Sequence, residues 1–159
     1  MTPSPAADRF GVEALLAEYG ALLDLGRYDD WLGLFAAACR YAVVPRENHD
    51  AGLPLALILC DSRAMLEDRI MALRQANKYN IHTSRHLIGL PRLVAADTAR
   101  IEIEAPFAVY HTDQEGETRL FATGLYRDRL DRAGQELRFA DKLVLLDTFA
   151  VPTLLATPL

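Results

Sequence analysis

The chain has 159 residues, of which 51% are hydrophobic and 25% charged, and its net charge is −5. This length suits one domain with a sizeable core, so residues 1–159 are expected to form a single domain. The acidic balance, without a block of lysine or arginine, argues against a nucleic-acid partner. No apolar run approaches the roughly 20 residues of a membrane-spanning helix, which argues against a membrane protein.

The cysteine content and the first residues favour a cytoplasmic protein. Only Cys39 and Cys60 occur, and one pair does not make the disulfide framework of a small secreted domain. Residues 1–8 have neither the charged start nor the apolar stretch of a signal peptide, and we expect them to be disordered.

Two helices are predicted near the start of the chain. Apolar residues recur at helical spacing over residues 8–25, with Asp8 as the expected N-cap and Gly26 as the stop. These apolar residues are Val12, Leu15, Leu16, Tyr19, Leu22 and Leu23. A second helix is predicted to begin after Asp29 or Asp30. Its apolar stripe consists of Trp31, Leu34, Phe35 and Ala38.

Extended segments and a loop are predicted next. A short strand over residues 40–44 should end at Pro45, because proline does not continue a strand interior. Residues 46–54 are polar with glycine and proline, which is typical of a loop. The continuous apolar run 55–60 predicts a short buried strand, although a helix of that length would show the same pattern.

A third helix follows, with Asp61 or Ser62 as its N-cap. Its apolar stripe consists of Leu66, Ile70 and Leu73. Arg69 lies beside that stripe and should therefore have a carboxylate or carbonyl partner. Asn77 and residues 78–80 are expected to end the helix.

The second half of the chain predicts strands. One strand is expected over residues 81–90, with a break at Pro91 and a continuation over residues 92–94. Three longer segments joined by glycine-containing turns then predict an antiparallel meander. These segments are residues 99–110, 120–126 and 137–146. In the first of them, alternation puts apolar side chains on one face. They are Ile101, Ile103, Phe107 and Val109.

Helices followed by a long meander indicate an α+β fold. Gly124 lies within a predicted strand, where glycine often marks a bulge or a tight bend. We therefore expect a strongly curved antiparallel sheet that holds the N-terminal helices in its concave face, which makes a cone with a pocket.

The histidines of the sequence allow two interpretations. His82 and His86 on one strand would lie about 13 Å apart, too far to share a metal ion, so hydrogen-bonded sheet histidines are the simpler interpretation. The alternative is an acid–base pair made of Asp30 with His82 or His86. Tyr28 or Tyr41 would donate a hydrogen bond to that pair.

Other catalytic motifs are missing from the sequence. No Gly-x-Ser-x-Gly elbow or glycine-rich phosphate loop occurs, and Cys60 is expected to be an inert core thiol. A Rieske cluster needs Cys-x-His and Cys-x-x-His pairs, whereas Cys39 and Cys60 are not followed by histidine at those positions. The sequence thus predicts no catalytic, cofactor-binding or metal-binding residue in this chain.

Several segments together carry a resemblance to a known family. They are Arg46-Glu-Asn-His-Asp-Ala-Gly-Leu-Pro54, Cys60-Asp-Ser-Arg-Ala-Met-Leu-Glu-Asp-Arg-Ile70, Ala72-Leu-Arg-Gln-Ala-Asn77, residues 82–91 with Arg85-His86, Phe121-Ala-Thr-Gly-Leu-Tyr126 and Leu154-Leu-Ala-Thr-Pro-Leu159. Their order and spacing resemble the small (β) subunit of Rieske-type aromatic-ring-hydroxylating dioxygenases. The resemblance covers nearly the whole chain and is strongest to subunits for aromatic carboxylates such as terephthalate, anthranilate or salicylate.

The resemblance implies the cone-shaped fold of nuclear transport factor 2 and scytalone dehydratase (the NTF2-like fold). It also implies a large α subunit that carries a Rieske [2Fe–2S] cluster and a mononuclear Fe(II), with electrons from NAD(P)H through a reductase. This chain would be a structural subunit without catalytic residues, in an α3β3 hexamer containing a β trimer. Dioxygen would be added to an aromatic ring by the partner.

Two further expectations concern assembly and the alternatives. The apolar tail 151–159, which has no obvious place in the core, and the arginine-rich third helix are the predicted contacts with another chain. A free-standing NTF2-like dehydratase or isomerase using Asp30 with His82 or His86 remains the alternative function. A homotrimer without another partner is a third interpretation.

Overall fold

The computed structural model describes residues 5–76, 81–134, 136–148, 150–152 and 155–159. These residues form an α+β fold of helices and strands. The helices are α1 (Pro5–Asp24), α2 (Tyr28–Gly33), α3 (Arg46–Asp50) and α4 (Arg63–Ala76). The strands are β1 (Phe35–Pro45), β2 (Ile58–Cys60), β3 (Thr83–Ile88), β4 (Arg92–Ala96), β5 (Arg100–Thr112), β6 (Thr118–Ala133) and β7 (Glu136–Leu146).

The strands form one sheet in the order β2-β1-β7-β6-β5-β3, and β4 also pairs with β5. The strands β5, β6 and β7 form the predicted antiparallel meander. Strands β3 and β4 both lie beside β5, one after the other, with a break at residues 89–91. The sheet departs from the purely antiparallel prediction at one place, because β1 and β7 run parallel.

The sheet curves around α1 and encloses the core. Helix α1 packs both on the edge strand β3 and on the central strand β7, so it crosses the concave face. Register shifts in β5/β6 and β6/β7 mark irregularities that bend long strands. The alternation predicted for β5 is confirmed, and all six apolar residues predicted for the first helix are buried. This arrangement confirms the cone.

Gly124 is required by a close approach between strands. A Cβ added there would lie only 1.9 Å from the main-chain oxygen of Leu145, which no real side chain can do. The register shifts lie elsewhere, between Val109 and Tyr110 and between Arg129 and Leu130. Gly124 therefore marks a tight contact between β6 and β7.

Helix α4 agrees with its sequence signals. Ser62 Oγ accepts the N–H of Met65 at 3.3 Å, which fits an N-cap. The predicted stripe of α4 is buried. Arg69 donates to the main-chain oxygens of Leu155 and Ala156 at 3.1 and 3.4 Å, so its predicted carbonyl partner is confirmed. The predicted end of the helix at Asn77 and residues 78–80 lies outside the described residues.

The predicted start of α1 was three residues late. The helix begins at Pro5, where a proline fits the first turn because its missing N–H would have no helical partner. Asp8 lies inside the helix, and its nearly buried carboxylate pairs with Arg132 at 2.8 Å. The structure places residues 5–8, for which disorder was expected, in α1, and residues 1–4 lie outside the described part.

The boundary between α2 and β1 was also misplaced. Phe35 and Ala38, assigned to a helical stripe, belong to β1, which pairs with β7 from Phe35 onward. An apolar run such as 35–39 fits a helix or a buried strand, and here pairing with β7 decides it.

Two shorter predictions need correction. The predicted loop 46–54 begins with the short helix α3, and the predicted buried strand 55–60 contains only the three residues of β2. Leu55, Leu57 and Leu59 are exposed. None of the described helices has the length and apolar character needed to span a lipid bilayer.

The segment 155–159, which we call the tail segment, folds back into the cone. Leu159 is 1% exposed and belongs to the main hydrophobic core, and Leu155 packs against that core. The premise that the tail has no place in the core is therefore wrong. It packs within its own fold, since Tyr19 of α1 and Tyr41 of β1 hydrogen-bond to Leu159.

Candidate functional site

Asp24 and His86 form a nearly buried pair between α1 and β3. Asp24 Oδ1 lies 2.6 Å from His86 Nδ1. The main-chain N–H of His86 also donates to this carboxylate, with distances of 3.0 and 3.1 Å to its two oxygens. Arg85 approaches the same carboxylate at 3.6 Å with a mostly exposed side chain. Asp24 thus ties the end of α1 to the edge strand β3.

The predicted acid–base pair used the wrong aspartate for His86. Asp30 is exposed on α2 and accepts hydrogen bonds from Arg27. The carboxylate beside His86 is Asp24, which the sequence analysis did not single out. Tyr41, one of the tyrosines expected to assist, donates to the main-chain oxygen of Leu159. Tyr28 packs partly buried against the core.

One signal could have identified Asp24. It is the last residue of α1, where the helix dipole disfavours a negative charge. A carboxylate at that position needs a donor from elsewhere in the fold. The partner, His86, lies 62 residues away, so the sequence shows the need for a donor and leaves its identity open.

A groove of about 600 Å³ runs between α1 and the segment that joins β3 to β4. Asp24 and His86 lie at its wall, together with mainly apolar residues such as Leu16 and Ile88. The helix lies close to β3 at Gly20, where an added Cβ would lie 3.2 Å from His86 Cβ. The close packing fixes the helix against the strand.

A stack of three rings lies beside this pair. His111 is sandwiched between His82 and Phe121, with ring centroids 3.9 Å apart on both sides. Burial, together with the neighbouring charges of His82 and His86, lowers the pKa of His111 to about 4. His111 is therefore neutral near pH 7 and acts as an aromatic packing residue.

The deepest charged groups are Asp128 on β6 and Lys142 on β7. Lys142 Nζ lies 2.8 Å from Asp128 Oδ2, and neither side chain has exposed surface. Burial raises the pKa of Asp128 to about 6 and lowers the pKa of Lys142, while their mutual attraction opposes both shifts. The ammonium also lies over the rings of Tyr19, Tyr126 and Phe139. Sequence reasoning missed this pair, although period two places Asp128 on the buried face of β6 with Tyr126 and Leu130, and Lys142 on the buried face of β7.

The residues of this chain do not fit an iron–sulfur cluster. Cys39 and Cys60 are buried free thiols on the neighbouring strands β1 and β2, and burial raises the pKa of both thiols. Within the described ranges, no group of three or more His, Cys, Asp or Glu side chains is arranged to hold a metal ion.

Exposed apolar residues gather around α4 and β2. Met65 and Met71 on α4 are about half exposed, as are the leucines around β2. The arginines of α4 already have partners in the chain: Arg63 binds Glu67, Arg69 binds the tail segment, and Arg74 pairs with Asp29.

The chain matches a known protein family over most of its length. The family model described as "Ring hydroxylating beta subunit" matches residues 20–153. The chain is 38% identical to the anthranilate 1,2-dioxygenase small subunit of Burkholderia cepacia, over 94% of this chain and 93% of that one. It is 36% identical to a terephthalate 1,2-dioxygenase terminal oxygenase β subunit of Comamonas sp., over 93% and 96% of the two chains.

Solved structures agree in fold. A crystal structure of a β subunit assigned to an aromatic-ring-hydroxylating dioxygenase of Novosphingobium aromaticivorans matches with a TM-score of 0.88 and 40% identity, covering 96% of this chain and 97% of that one. A protein from the same organism assigned as a scytalone dehydratase shares the fold, with a TM-score of 0.70 at 11% identity over 89% and 85% of the chains. The fold is therefore NTF2-like, and the free-standing dehydratase or isomerase is not favoured. The chain belongs to the family of ring-hydroxylating dioxygenase β subunits, which are components of oxidoreductase complexes.

Proposed function

We propose that this chain is the structural small subunit of a dioxygenase that adds O2 to the ring of an aromatic carboxylate. The observation that carries the proposal is the 38% identity to an anthranilate dioxygenase small subunit across 94% of the chain. A terephthalate dioxygenase subunit is 36% identical. Anthranilate and terephthalate are both aromatic carboxylates, which supports that substrate class for the assembled enzyme.

The chemistry belongs to a large α subunit in this proposal. That partner carries the Rieske [2Fe–2S] cluster and the mononuclear Fe(II), and its electrons come from NAD(P)H through a reductase. The described cysteines of this chain are core residues on adjacent strands, which do not suit a cluster shared with histidines. We propose an α3β3 hexamer containing a β trimer, located in the cytoplasm, where buried thiols such as these stay reduced.

The Asp24–His86 pair supports a structural role. Both carboxylate oxygens of Asp24 accept the main-chain N–H of His86, which is a donor at the edge of the sheet. By accepting this N–H, the carboxylate satisfies a main-chain donor at the edge of β3 and joins that strand to α1. We propose that it holds the cone together and that no residue of this chain is catalytic.

Contacts with other subunits are assigned to the outer face of α4 and the exposed leucines around β2. Subunit interfaces are richer in apolar and arginine side chains than the rest of the surface. Met65, Met71 and the leucines supply the apolar area there. The tail segment contributes to this face indirectly, because Arg69 of α4 binds it.

The test is co-expression of this chain with an α subunit of the same organism, recognised by its Cys-x-His and Cys-x-x-His pairs. Native mass spectrometry should give an α3β3 mass, and the complex with its reductase and NAD(P)H should oxidise anthranilate or terephthalate. Complexes containing Asp24→Asn or His86→Gln, once assembled, should keep that turnover.

Three outcomes contradict the proposal. One is purification of this chain without the α subunit under conditions that keep both folded. Another is loss of turnover in an intact hexamer that carries Asp24→Asn. The third is a preference of the complex for uncharged aromatic rings over both carboxylates, which would overturn the substrate class.

A further inference from the structure

The cone holds its own tail segment as it would hold a ligand. The side chain of Leu159 is buried in the main core. Its main-chain oxygen accepts hydrogen bonds from the hydroxyls of Tyr19 and Tyr41, at 2.5 and 3.3 Å. The N–H of Leu159 donates to the Tyr41 hydroxyl at 2.9 Å. Two fully buried hydroxyls thus converge on one oxygen atom.

A positive charge lies beside the tail segment. Arg69 on α4 donates to the main-chain oxygens of Leu155 and Ala156. Its charge also acts on the Tyr41 hydroxyl, where it opposes the rise in pKa that burial causes. A guanidinium and two hydroxyl donors together favour an anionic oxygen ligand over a neutral or cationic one.

The surrounding walls are aromatic and contain more polar atoms. Trp31 packs with its ring centroid 5.7 Å from those of both Tyr19 and Tyr41. Trp31 Nε1 and the Tyr126 hydroxyl are buried in the same core without a hydrogen-bond partner among the described residues. Apolar walls with a few convergent polar groups are the usual composition of a small-molecule site.

We propose that the cone interior is a binding site for compact apolar carboxylates, which the tail segment occupies in the resting chain and vacates for such a ligand. The tail and the ligand compete for the same donors on Tyr19 and Tyr41. Because the tail is tethered, its effective concentration is high and the site is closed most of the time. The inference concerns this chain alone and is independent of the α subunit.

The test uses sodium 4-methylpentanoate, which combines the branched side chain of leucine with a carboxylate. Calorimetry and thermal melting would compare the full chain, the full-length variant Leu159→Gly and a chain that lacks residues 155–159. We expect both altered chains to bind the probe at least tenfold more tightly than the full chain does. Adding Tyr19→Phe to Leu159→Gly should weaken binding about tenfold, because one donor to the carboxylate is lost.

Two controls distinguish a built site from a simple hole. The variant Leu90→Gly removes an exposed leucine and should bind no better than the unaltered chain. The probe 4-methylpentylamine has the same shape with the opposite charge, and Leu159→Gly should bind it at least tenfold more weakly than the carboxylate.

Two results overturn the proposal. In the first, the Leu159→Gly variant is folded but binds the carboxylate no better than the full chain does. In the second, Leu159→Gly binds the amine as tightly as the carboxylate. If the shortened chain is unfolded, Leu159→Gly decides. If Leu159→Gly is also unfolded, failure of excess 4-methylpentanoate to restore its folding counts against the site, since a ligand of the native state stabilises it by mass action.

Discussion

Asp128 and Lys142 face each other across β6 and β7 and form an ion pair inside the core. They are direct cross-strand neighbours, with Lys142 Nζ 2.8 Å from Asp128 Oδ2. The aromatic rings of Tyr19, Tyr126 and Phe139 lie within 3.6 to 4.7 Å of the ammonium. A charge in this environment is acceptable because its partner and the ring faces replace water.

Replacement of one member of this pair should be strongly destabilising. Lys142→Met leaves the Asp128 carboxylate buried without its counter-ion, and we expect a loss of about 3–5 kcal/mol in the free energy of unfolding. Urea unfolding at pH 7 measures it. The matched control is Arg40→Met at the half-exposed Arg40–Asp141 pair, where the loss should stay below about 1 kcal/mol. Similar losses in both variants would contradict the role of burial.

The pKa of His111 predicts a loss of stability in acid. Its pKa is about 4 in the folded chain, because of burial and its histidine neighbours, whereas the unfolded chain keeps the ordinary histidine pKa of 6.5. Between these values the unfolded chain binds more protons, so this contribution to stability is present above pH 6.5 and is lost as the pH falls toward 4. Thermal melts from pH 4.5 to 7.5 should show a shallower pH dependence for His111→Gln than for the unaltered chain. An unchanged slope would exclude His111 as its cause.

Asp128 should act in the opposite direction over a similar pH range. Burial raises its folded pKa to about 6, above the ordinary value of 3.8 for the unfolded chain. The folded chain therefore binds more protons between these values, and this contribution is lost as the pH rises from about 4 to 6. The melting temperature of Asp128→Asn minus that of the unaltered chain should therefore increase as the pH rises through this range. If this difference in melting temperature decreases as the pH rises, Lys142 keeps the carboxylate ionised below pH 4.

Gly124 should not tolerate any side chain. A Cβ there would meet the Leu145 main-chain oxygen at 1.9 Å, so Gly124→Ala must push β6 and β7 apart and cost roughly 1–3 kcal/mol or more. Gly33→Ala is the matched control, since nothing lies within 4 Å of its added Cβ and the effect should stay within about 1 kcal/mol. Thermal unfolding of the two variants compares them. Equal stability would mean that the strands separate without cost.

Asp24 and Asp30 should differ in their importance for folding. Asp24→Ala leaves the main-chain N–H of His86 at the sheet edge without its acceptor and should cost about 1–3 kcal/mol. Asp30→Ala removes only an exposed pair with Arg27 and should cost less than about 1 kcal/mol. Hydrogen exchange of the His86 amide would locate the effect. Equal protection of that amide in both variants would contradict the capping role.

Long segments joined by glycine-containing turns predicted the meander correctly, and the period-two pattern of residues 99–110 predicted which face of β5 is buried. The stripe of α4 and its Ser62 cap were likewise readable, since all their signals lie within a few residues of each other. The resemblance to dioxygenase small subunits, spread over nearly the whole chain, was confirmed by the comparisons.

The errors share a different cause. Phe35 belongs to a strand because β7, more than 100 residues later, pairs with it. The aspartate for His86 and the place of Leu159 in the core depend on contacts across 62 and 140 residues. Such contacts leave no periodic pattern in the sequence.

The amino-acid sequence by itself therefore determined the family, the curved sheet and the face that β5 buries, because alternation and helical spacing are local properties of the chain. Only the tertiary structure decided which carboxylate meets His86, that Asp128 and Lys142 pair in the core, and what fills the cone. The physical reason is that a buried polar group needs a donor or acceptor at hydrogen-bond distance, and folding brings those partners together from distant parts of the chain.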